Sequence, residues 1–405
     1  MIQIAILGFG VVGSGTAEVL TENKELIAKR CGDEINVKYI LDLRDFPEHP
    51  LGDRVVHDIN VILSDPEVSI VVEMMGGSHP AYDFSKSALL AGKSVVTSNK
   101  EVVANFGAEL LEIAREKDVS YLFEASVGGG IPIIRPMQVD LASNEILSVS
   151  GILNGTTNFI LTKMKNEGAD FASALREAQA NGFAEANPAA DVEGLDAARK
   201  IVILAALSFG ELLSPKSISV EGITHITAEQ TAVAESFGCA IKLIGHTERI
   251  DGRVLALVAP HMVPAENPVH HVTGVFNGIL VDANMLGRAL FYGAGAGKLP
   301  TASAVVADIL SIASGTEVAG RLTWKIASDE DMADVSERVC RRLYVMEGCA
   351  KCADKVREHF GFDTCKIDSD AGTFAFISQP MSGKDADAAL AACKKTLVWS
   401  MPVLD

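Results

Sequence analysis

Residues 2–13 read Ile-Gln-Ile-Ala-Ile-Leu-Gly-Phe-Gly-Val-Val-Gly, an apolar run followed by Gly8, Gly10 and Gly13 in the spacing GxGxxG. The run has the length and composition of a buried strand, and Val12, Thr16, Val19 and Leu20 after it carry helical spacing. The first glycine permits a tight turn, the second lets the backbone approach a pyrophosphate, and the third lets helix and strand pack closely. The helix start then offers unsatisfied N–H groups to phosphates. In this strand–turn–helix setting the motif reads as a dinucleotide site rather than as a structural glycine turn.

Working outward, Val37 to Leu41, Ile70 to Met75, Ser94 to Thr97 and Tyr121 to Phe123 are further short apolar runs separated by helix-period segments. Strands alternating with helices imply crossover connections and a parallel sheet covered on both faces, so the fold class is α/β with a Rossmann-type doubly wound domain. From about residue 140 the pattern becomes mixed α+β, with a long helix predicted over Ala189 to Leu207 and a strand at Val254 to Val258. Gly293 to Gly297 leads into a helix ending near Ser314. The tail reads strand Arg342 to Met346, helix Lys351 to His359, a strand pair around Lys366 and Phe374 to Ile377, helix Ala386 to Lys395 and strand Val398 to Val403. That βαββαβ order predicts a small ferredoxin-like module. The expected domains are 1–135 for nucleotide binding, completed by 293–320, then 136–292 as the mixed α+β region, then 321–405 as linker and C-terminal module.

The 405 residues suggest two or three structural units at about 150 residues each. A net charge of −18 repels a phosphate backbone and argues against nucleic-acid binding. No apolar stretch reaches the ~20 residues of a membrane span and the N-terminus lacks the features of a secretory signal, so a soluble cytoplasmic protein is expected. Seven cysteines make no disulfide framework. Cys349 and Cys352 form a CxxC pair without the second pair a zinc site needs, and reduced structural thiols are the favoured reading.

Three further stretches carry chemistry. After the second strand, in Ile40-Leu41-Asp42-Leu43-Arg44-Asp45, an acidic side chain would accept from both ribose hydroxyls and favour NAD, while Arg44 would pair with a 2′-phosphate and favour NADP. Both are present, so the choice stays open, with a lean to NADP. Lys100, in TSNK, follows a strand at its carboxyl end, where open parallel sheets place ligands. Gly151 to Leu161, GILNGTTNFIL, puts Asn154, Gly155, Thr156, Thr157 and Asn158 at a helix start suited to a carboxylate. In Gly182 to Lys200, Asp196 and Lys200 stand at i,i+4 on one helix face, with Glu193 one turn earlier, and Ile203, Leu204 and Leu207 place Lys200 at the edge of a core.

Together GFGVVG, SNK, EASVGGGIP, GILNGTTNFIL, GFAEANPAADVEGLDAARK and GAGAGKLPTASAVV resemble the homoserine dehydrogenases in order and spacing, over roughly the first 320 residues. The resemblance implies NAD(P)-dependent reduction of aspartate semialdehyde to homoserine, a small-molecule substrate, and a homodimer. It makes Lys200 the general acid/base and Lys100 a second lysine near the reacting oxygen. Glu185 and Asp196 become the substrate-binding acids, with Gly182 beside them and Thr156 and Thr157 at the substrate carboxylate. Phe9, Val11 and Val12 line the cofactor turn with Gly8, Gly10 and Gly13, and Gly297 is a nucleotide contact. A structural sodium site corresponds to Glu124, Val127, Gly129 and Ile131. Many relatives end in an ACT module with an Asp-x-Pro-Gly-like turn; here that turn reads Met346 to Lys351 without proline, so a dimer contact or a vestigial module is expected, with redox regulation through Cys349 and Cys352 as an alternative. Two rivals are a dehydrogenase of another amino-acid-derived carbonyl and a catalytically silent nucleotide sensor.

Overall fold

The computed structural model describes residues 1–316 and 322–405. Two compact units emerge: residues 1–147, 202–217 and 282–328, and residues 148–201, 218–281 and 329–405. The boundary expected at 135 lies inside the first unit, and the one expected at 320 falls outside the described residues.

In the first unit β1 (Ile2–Leu7), β2 (Ile35–Leu41), β3 (Val55–Val56), β4 (Val68–Glu73), β5 (Ser94–Thr97) and β6 (Tyr121–Leu122) form a parallel sheet in the order β3-β2-β1-β4-β5-β6. The order reverses at β1, so a crevice opens at the carboxyl ends of β1 and β4. Strands covered on both faces need apolar residues throughout, and Ile4, Ile6, Val71, Val72, Val95 and Val96 are fully excluded from water. Helix Lys298–Ala313 returns to this unit and shares its core through Val305 and Ile309. It approaches helix Val11–Glu22 closely at Gly15, where a Cβ would lie 2.9 Å from Lys298 Cγ.

The second unit carries strands in the order Phe276–Ala283, Ile146–Ile152, Cys239–Ile250, Arg253–Pro264, Ser219–Val220. The two long strands pair antiparallel from Cys239↔Pro264 to Ile250↔Arg253. Asp251 and Gly252 turn between them with φ of 49° and 82°, the left-handed values a two-residue hairpin demands. The helix predicted over Ala189 to Leu207 is two helices, Ala189–Val192 and Leu195–Phe209. Gly194, at φ 83°, breaks it, donating its N–H to the Asp191 carbonyl at 3.0 Å. Glu193 therefore leaves the face expected for it and is exposed.

The tail of this unit folds as Arg342–Glu347, Ala350–Phe360, Cys365–Asp368, Thr373–Ile377, Gly383–Cys393 and Leu397–Pro402, the predicted βαββαβ order. Its antiparallel sheet packs Tyr344, Phe360, Phe362, Phe374 and Phe376 into an aromatic core. The Leu404 N–H donates to the Met262 carbonyl at 2.9 Å, fastening the tail to the long hairpin. Arg338 also meets His261 Nε2 at 2.8 Å, and its Nε lies 3.4 Å from Glu248. Beside them His246 pairs with the Ser150 hydroxyl at 2.8 Å and with Glu248 at 3.3 Å. Among the described residues no helix is long and apolar enough to cross a membrane.

Burial, reinforced by the Arg338 charge, pulls the His246 imidazole down to about 4. A histidine near 6.5 when unfolded but near 4 when folded contributes stability that is complete above 6.5 and lost as pH falls toward 4. Urea unfolding is therefore expected to show wild type losing about 2 kcal/mol more than His246→Gln between pH 8 and pH 5. Identical pH slopes would refute the buried neutral imidazole.

Candidate active site

In the first unit the glycine turn is shaped by its surroundings. Gly8 has φ 87°, and a Cβ there would lie 3.0 Å from the Met74 carbonyl oxygen; at Gly13 it would collide with the Gly8 carbonyl. At Gly10 a Cβ would meet open space, and no side chain caps the helix start there. The turn thus presents bare, exposed helix N–H groups toward the crevice, and Val11 stands beside them, 67% exposed. Val12 is partly buried against the core, while Phe9 sits in it, edge-on to Phe46 at 5.2 Å.

The Phe9 N–H donates to Asp42 Oδ2 at 2.8 Å, and Arg44 supplies three more hydrogen bonds to the same carboxylate, each at 3.0 Å. The Arg44 guanidinium, helped by the Phe9 and Arg44 amides and opposed by burial, holds Asp42 down at about 2. Arg44 itself remains largely exposed and lies over the Phe46 ring.

A second knot ties the ends of β4 and β5. Glu73, fully buried, accepts from the Met75 N–H at 2.7 Å and from the Thr97 hydroxyl at 2.6 Å. The Thr97 oxygen accepts from the Asn99 N–H at 2.9 Å, and the Asn99 amide donates to the Gly77 carbonyl at 2.8 Å. Asn99 then caps helix Lys100–Glu116 by accepting from the Glu101 and Val102 N–H groups. Lys100 is therefore the first residue of a helix whose start is set by a buried carboxylate. None of Glu73, Thr97 and Asn99 emerged as a site residue from sequence, although Asn directly before a lysine and an apolar-periodic run is a helix-cap signal.

Glu124 turns inward. Its carboxylate accepts from the backbone N–H groups of Ile133, Ile134 and Arg135 at 2.6, 2.8 and 2.7 Å. The carbonyls of Gly129 and Ile131 accept no hydrogen bond from another described residue. Gly129, at φ 59°, lies so close to Gly295 that a Cβ would collide with its carbonyl. Gly297 caps helix Lys298–Ala313 at φ 119° and is exposed.

The second unit holds the other cluster. Lys200, only 7% exposed, donates to the Leu153 carbonyl at 2.7 Å and to Asp196 Oδ2 at 2.9 Å. Asp196 also accepts from the Asn154 amide at 2.9 Å, and the same amide donates to Asp191 at 2.7 Å. Asn154 Oδ1 meanwhile caps helix Gly155–Glu167 by accepting from the Thr157 N–H. One asparagine so links helix start, two acids and a lysine. Asp191 escaped the sequence reading because its partner lies 37 residues away. The Thr156 hydroxyl donates to the Phe183 carbonyl and that of Thr157 to Asn154, so both set the shape of the turn rather than offering their protons to a carboxylate. Gly182, at φ 74°, and Glu185 lie exposed on the loop after helix Phe171–Ala180. Gly245 makes the approach possible: a Cβ there would lie 2.8 Å from Leu153 and 3.3 Å from Ile201.

A doubly wound sheet with an open glycine turn, and a buried lysine braced by acids, define a nicotinamide-dinucleotide oxidoreductase. The family models for "Homoserine dehydrogenase, NAD binding domain" and "Homoserine dehydrogenase" match residues 8–124 and 132–310. The homoserine dehydrogenase of Neisseria gonorrhoeae is 42% identical over 314 residues, covering 77% of this chain and 72% of that one. That of Bacillus subtilis is 40% identical over 314 residues, with the same two coverages. Among solved structures, a homoserine dehydrogenase from Thiobacillus denitrificans superposes with TM-score 0.87 at 33% identity, covering 100% of this chain and 98% of that one. A hyperthermophilic archaeal homoserine dehydrogenase mutant in complex with NADPH superposes with TM-score 0.67 at 29% identity, over 79% of this chain and 99% of that one. The chain belongs to the homoserine dehydrogenase family of NAD(P)-dependent oxidoreductases.

Replacing the buried Glu73 carboxyl should cost about 1–3 kcal/mol, because a Glu73→Gln amide either opposes the Met75 N–H with a second donor or leaves the Thr97 O–H without its acceptor. The expected readout is a lowered unfolding midpoint together with a raised KM for the dinucleotide, measured by thermal unfolding and steady-state kinetics. An unaltered KM would place this knot outside cofactor binding.

Proposed function

We propose that this chain catalyses the reversible, NAD(P)H-dependent reduction of L-aspartate 4-semialdehyde to L-homoserine, a step toward threonine and methionine. The observation that carries the reading is the buried Lys200 ammonium, fixed by the Leu153 carbonyl and Asp196. The related enzymes bear the homoserine dehydrogenase name throughout, and neither rival draws support from them.

The residues present fit the dinucleotide: the Gly8–Gly13 turn keeps side chains away from the pyrophosphate and offers it helix N–H groups. When bound, the nicotinamide supplies hydride for reduction and accepts it in the reverse direction. Negative charge then builds on the aldehyde oxygen, where Lys200 stabilises it and delivers the proton. Lys100, the first residue of the helix after β5, is the candidate cation of the dinucleotide-binding unit itself. Glu185 provides an exposed carboxylate for the substrate ammonium, while Asp196 and Asn154 orient Lys200.

NADP is the preferred cofactor. The Asp42 carboxylate already accepts four hydrogen bonds, two of them from the Arg44 guanidinium, which fills its lone pairs, and the remaining exposed N–H groups of that guanidinium can meet a 2′-phosphate. A sodium-sized cation would rest on the carbonyls of Val127, Gly129 and Ile131, with Glu124 shaping the turn because its own oxygens hold three amides. The working form is a homodimer: strand Gly287–Ala294 exposes Leu290 and Tyr292, and the turn before it exposes Met285 and Leu286, an apolar surface suited to a second copy.

The test is a spectrophotometric assay of homoserine-dependent NADP and NAD reduction. Lys200→Ala should lower kcat by about 10²–10⁴-fold while cofactor affinity by fluorescence titration stays unaltered, the expected size for losing an acid/base group. Unchanged turnover would remove Lys200 from the chemistry. Arg44→Ala should raise the KM for NADP by about 10–100-fold, the equivalent of one charge-assisted hydrogen-bond pair, and leave that for NAD nearly constant. Equal effects on both cofactors would contradict the assigned preference.

A further inference from the structure

Seven free thiols are spread over the chain, and two of them are arranged unlike the rest. Cys349 is the first boundary residue of helix Ala350–Phe360 and is exposed, while Cys352 lies one turn in and is half-buried. Their sulfurs are 3.7 Å apart. The approach depends on Gly348, which takes φ 144°; a Cβ there would lie 2.9 Å from Cys352 Cβ and 3.0 Å from its sulfur. From a different turn the Lys395 ammonium donates to Cys352 Sγ at 3.1 Å. That lysine is delivered by Lys394, the left-handed cap of helix Gly383–Cys393, and the segment is pinned by the Glu347 N–H on the Thr396 carbonyl at 3.0 Å. Two sulfurs in contact at a helix start, with a cation from a separate element on one of them, are more than a lone cysteine needs for packing.

We propose that Cys349 and Cys352 form a thiol–disulfide exchange site that takes a low-molecular-weight disulfide, such as oxidised glutathione, as its oxidant. The Cys352 thiolate attacks one sulfur of the small disulfide, forming a mixed disulfide and releasing the first small thiolate, which takes up a proton. Cys349, deprotonated to solvent, then attacks Cys352 Sγ, closing the intramolecular bond and releasing the second small thiol. Two protein thiols are oxidised and one small disulfide is reduced to two thiols, so electrons and protons balance. The Cys349 N–H, the Lys395 ammonium and the Cys349 thiol together pull the Cys352 thiol down to about 7, which supports Cys352 as the attacking sulfur. Cys365 and Cys393 lack such a partner set, and burial raises both.

The experiment uses the reduced full-length chain in oxidised and reduced glutathione at graded ratios, quenched in acid and mapped by peptide mass spectrometry. The expected product is a Cys349–Cys352 disulfide that precedes any other linkage. In Cys349→Ser the mixed glutathione disulfide should accumulate on Cys352, and Lys395→Met should slow its formation. At pH 7 Cys352 should react about fivefold faster than a thiol of ordinary pKa, the larger thiolate fraction being partly offset by lower nucleophilicity. Retention of both thiols in excess oxidised glutathione would overturn the proposal. So would an adduct in Cys349→Ser that sits on Cys365 or Cys393, or a Cys352 rate equal to theirs.

Discussion

Placing an ammonium where water hardly reaches is the constraint on which the second unit rests. An isolated charge there would be untenable, so Lys200 must find acceptors, and it finds one from the backbone, Leu153, and one from its own helix, Asp196. Asp196 in turn needs a donor besides the lysine and takes it from Asn154. Because Asn154 also starts helix Gly155–Glu167 and holds Asp191, a single amide sets the positions of three charged groups. Two glycines make room for this arrangement. Gly194 separates the helix that bears Lys200 from the short one that bears Asp191, and Gly245 lets the former settle on the sheet.

The dinucleotide half obeys a parallel logic with a buried carboxylate at its centre. Glu73 ends β4, yet burial pushes its carboxyl up to about 7, and only a web of donors from Met75, Thr97 and Asn99 favours the charged form. That web holds two neighbouring loops at one edge of the sheet and decides where the helix of Lys100 begins. Asp42 does for the glycine turn what Glu73 does for the lysine helix: a carboxylate at a strand end anchors a backbone N–H of the loop beyond it.

Much of the fold was legible because its signals are local. The alternation of apolar runs with helical spacing located five of the six strands of the first sheet; β3, only two residues long, left no readable run. The C-terminal module also followed its periodicity closely. Signals that need a partner elsewhere were harder. The break at Gly194 interrupts a segment whose composition is helical throughout, and Asp251-Gly252 marks a hairpin whose long strands a shorter apolar run only partly revealed. Among the candidate residues, Lys200 and Asp196 in the second unit stood out by spacing, and Lys100 in the first by its position at a strand end. Glu73 looked like part of an apolar strand, and the pairing of Asn154 with Asp191 and Asp196 spans dozens of residues that no window covers.

Chemical rescue addresses the central claim most directly. In a Lys200→Gly variant, primary alkylamines added to the homoserine oxidation assay take the place of the missing side chain. If Lys200 is the proton-transferring group, turnover should return and rise systematically with amine basicity among amines of similar size. A variant that no amine restores, although it still binds dinucleotide and homoserine, would contradict the assignment and place the proton transfer on another residue.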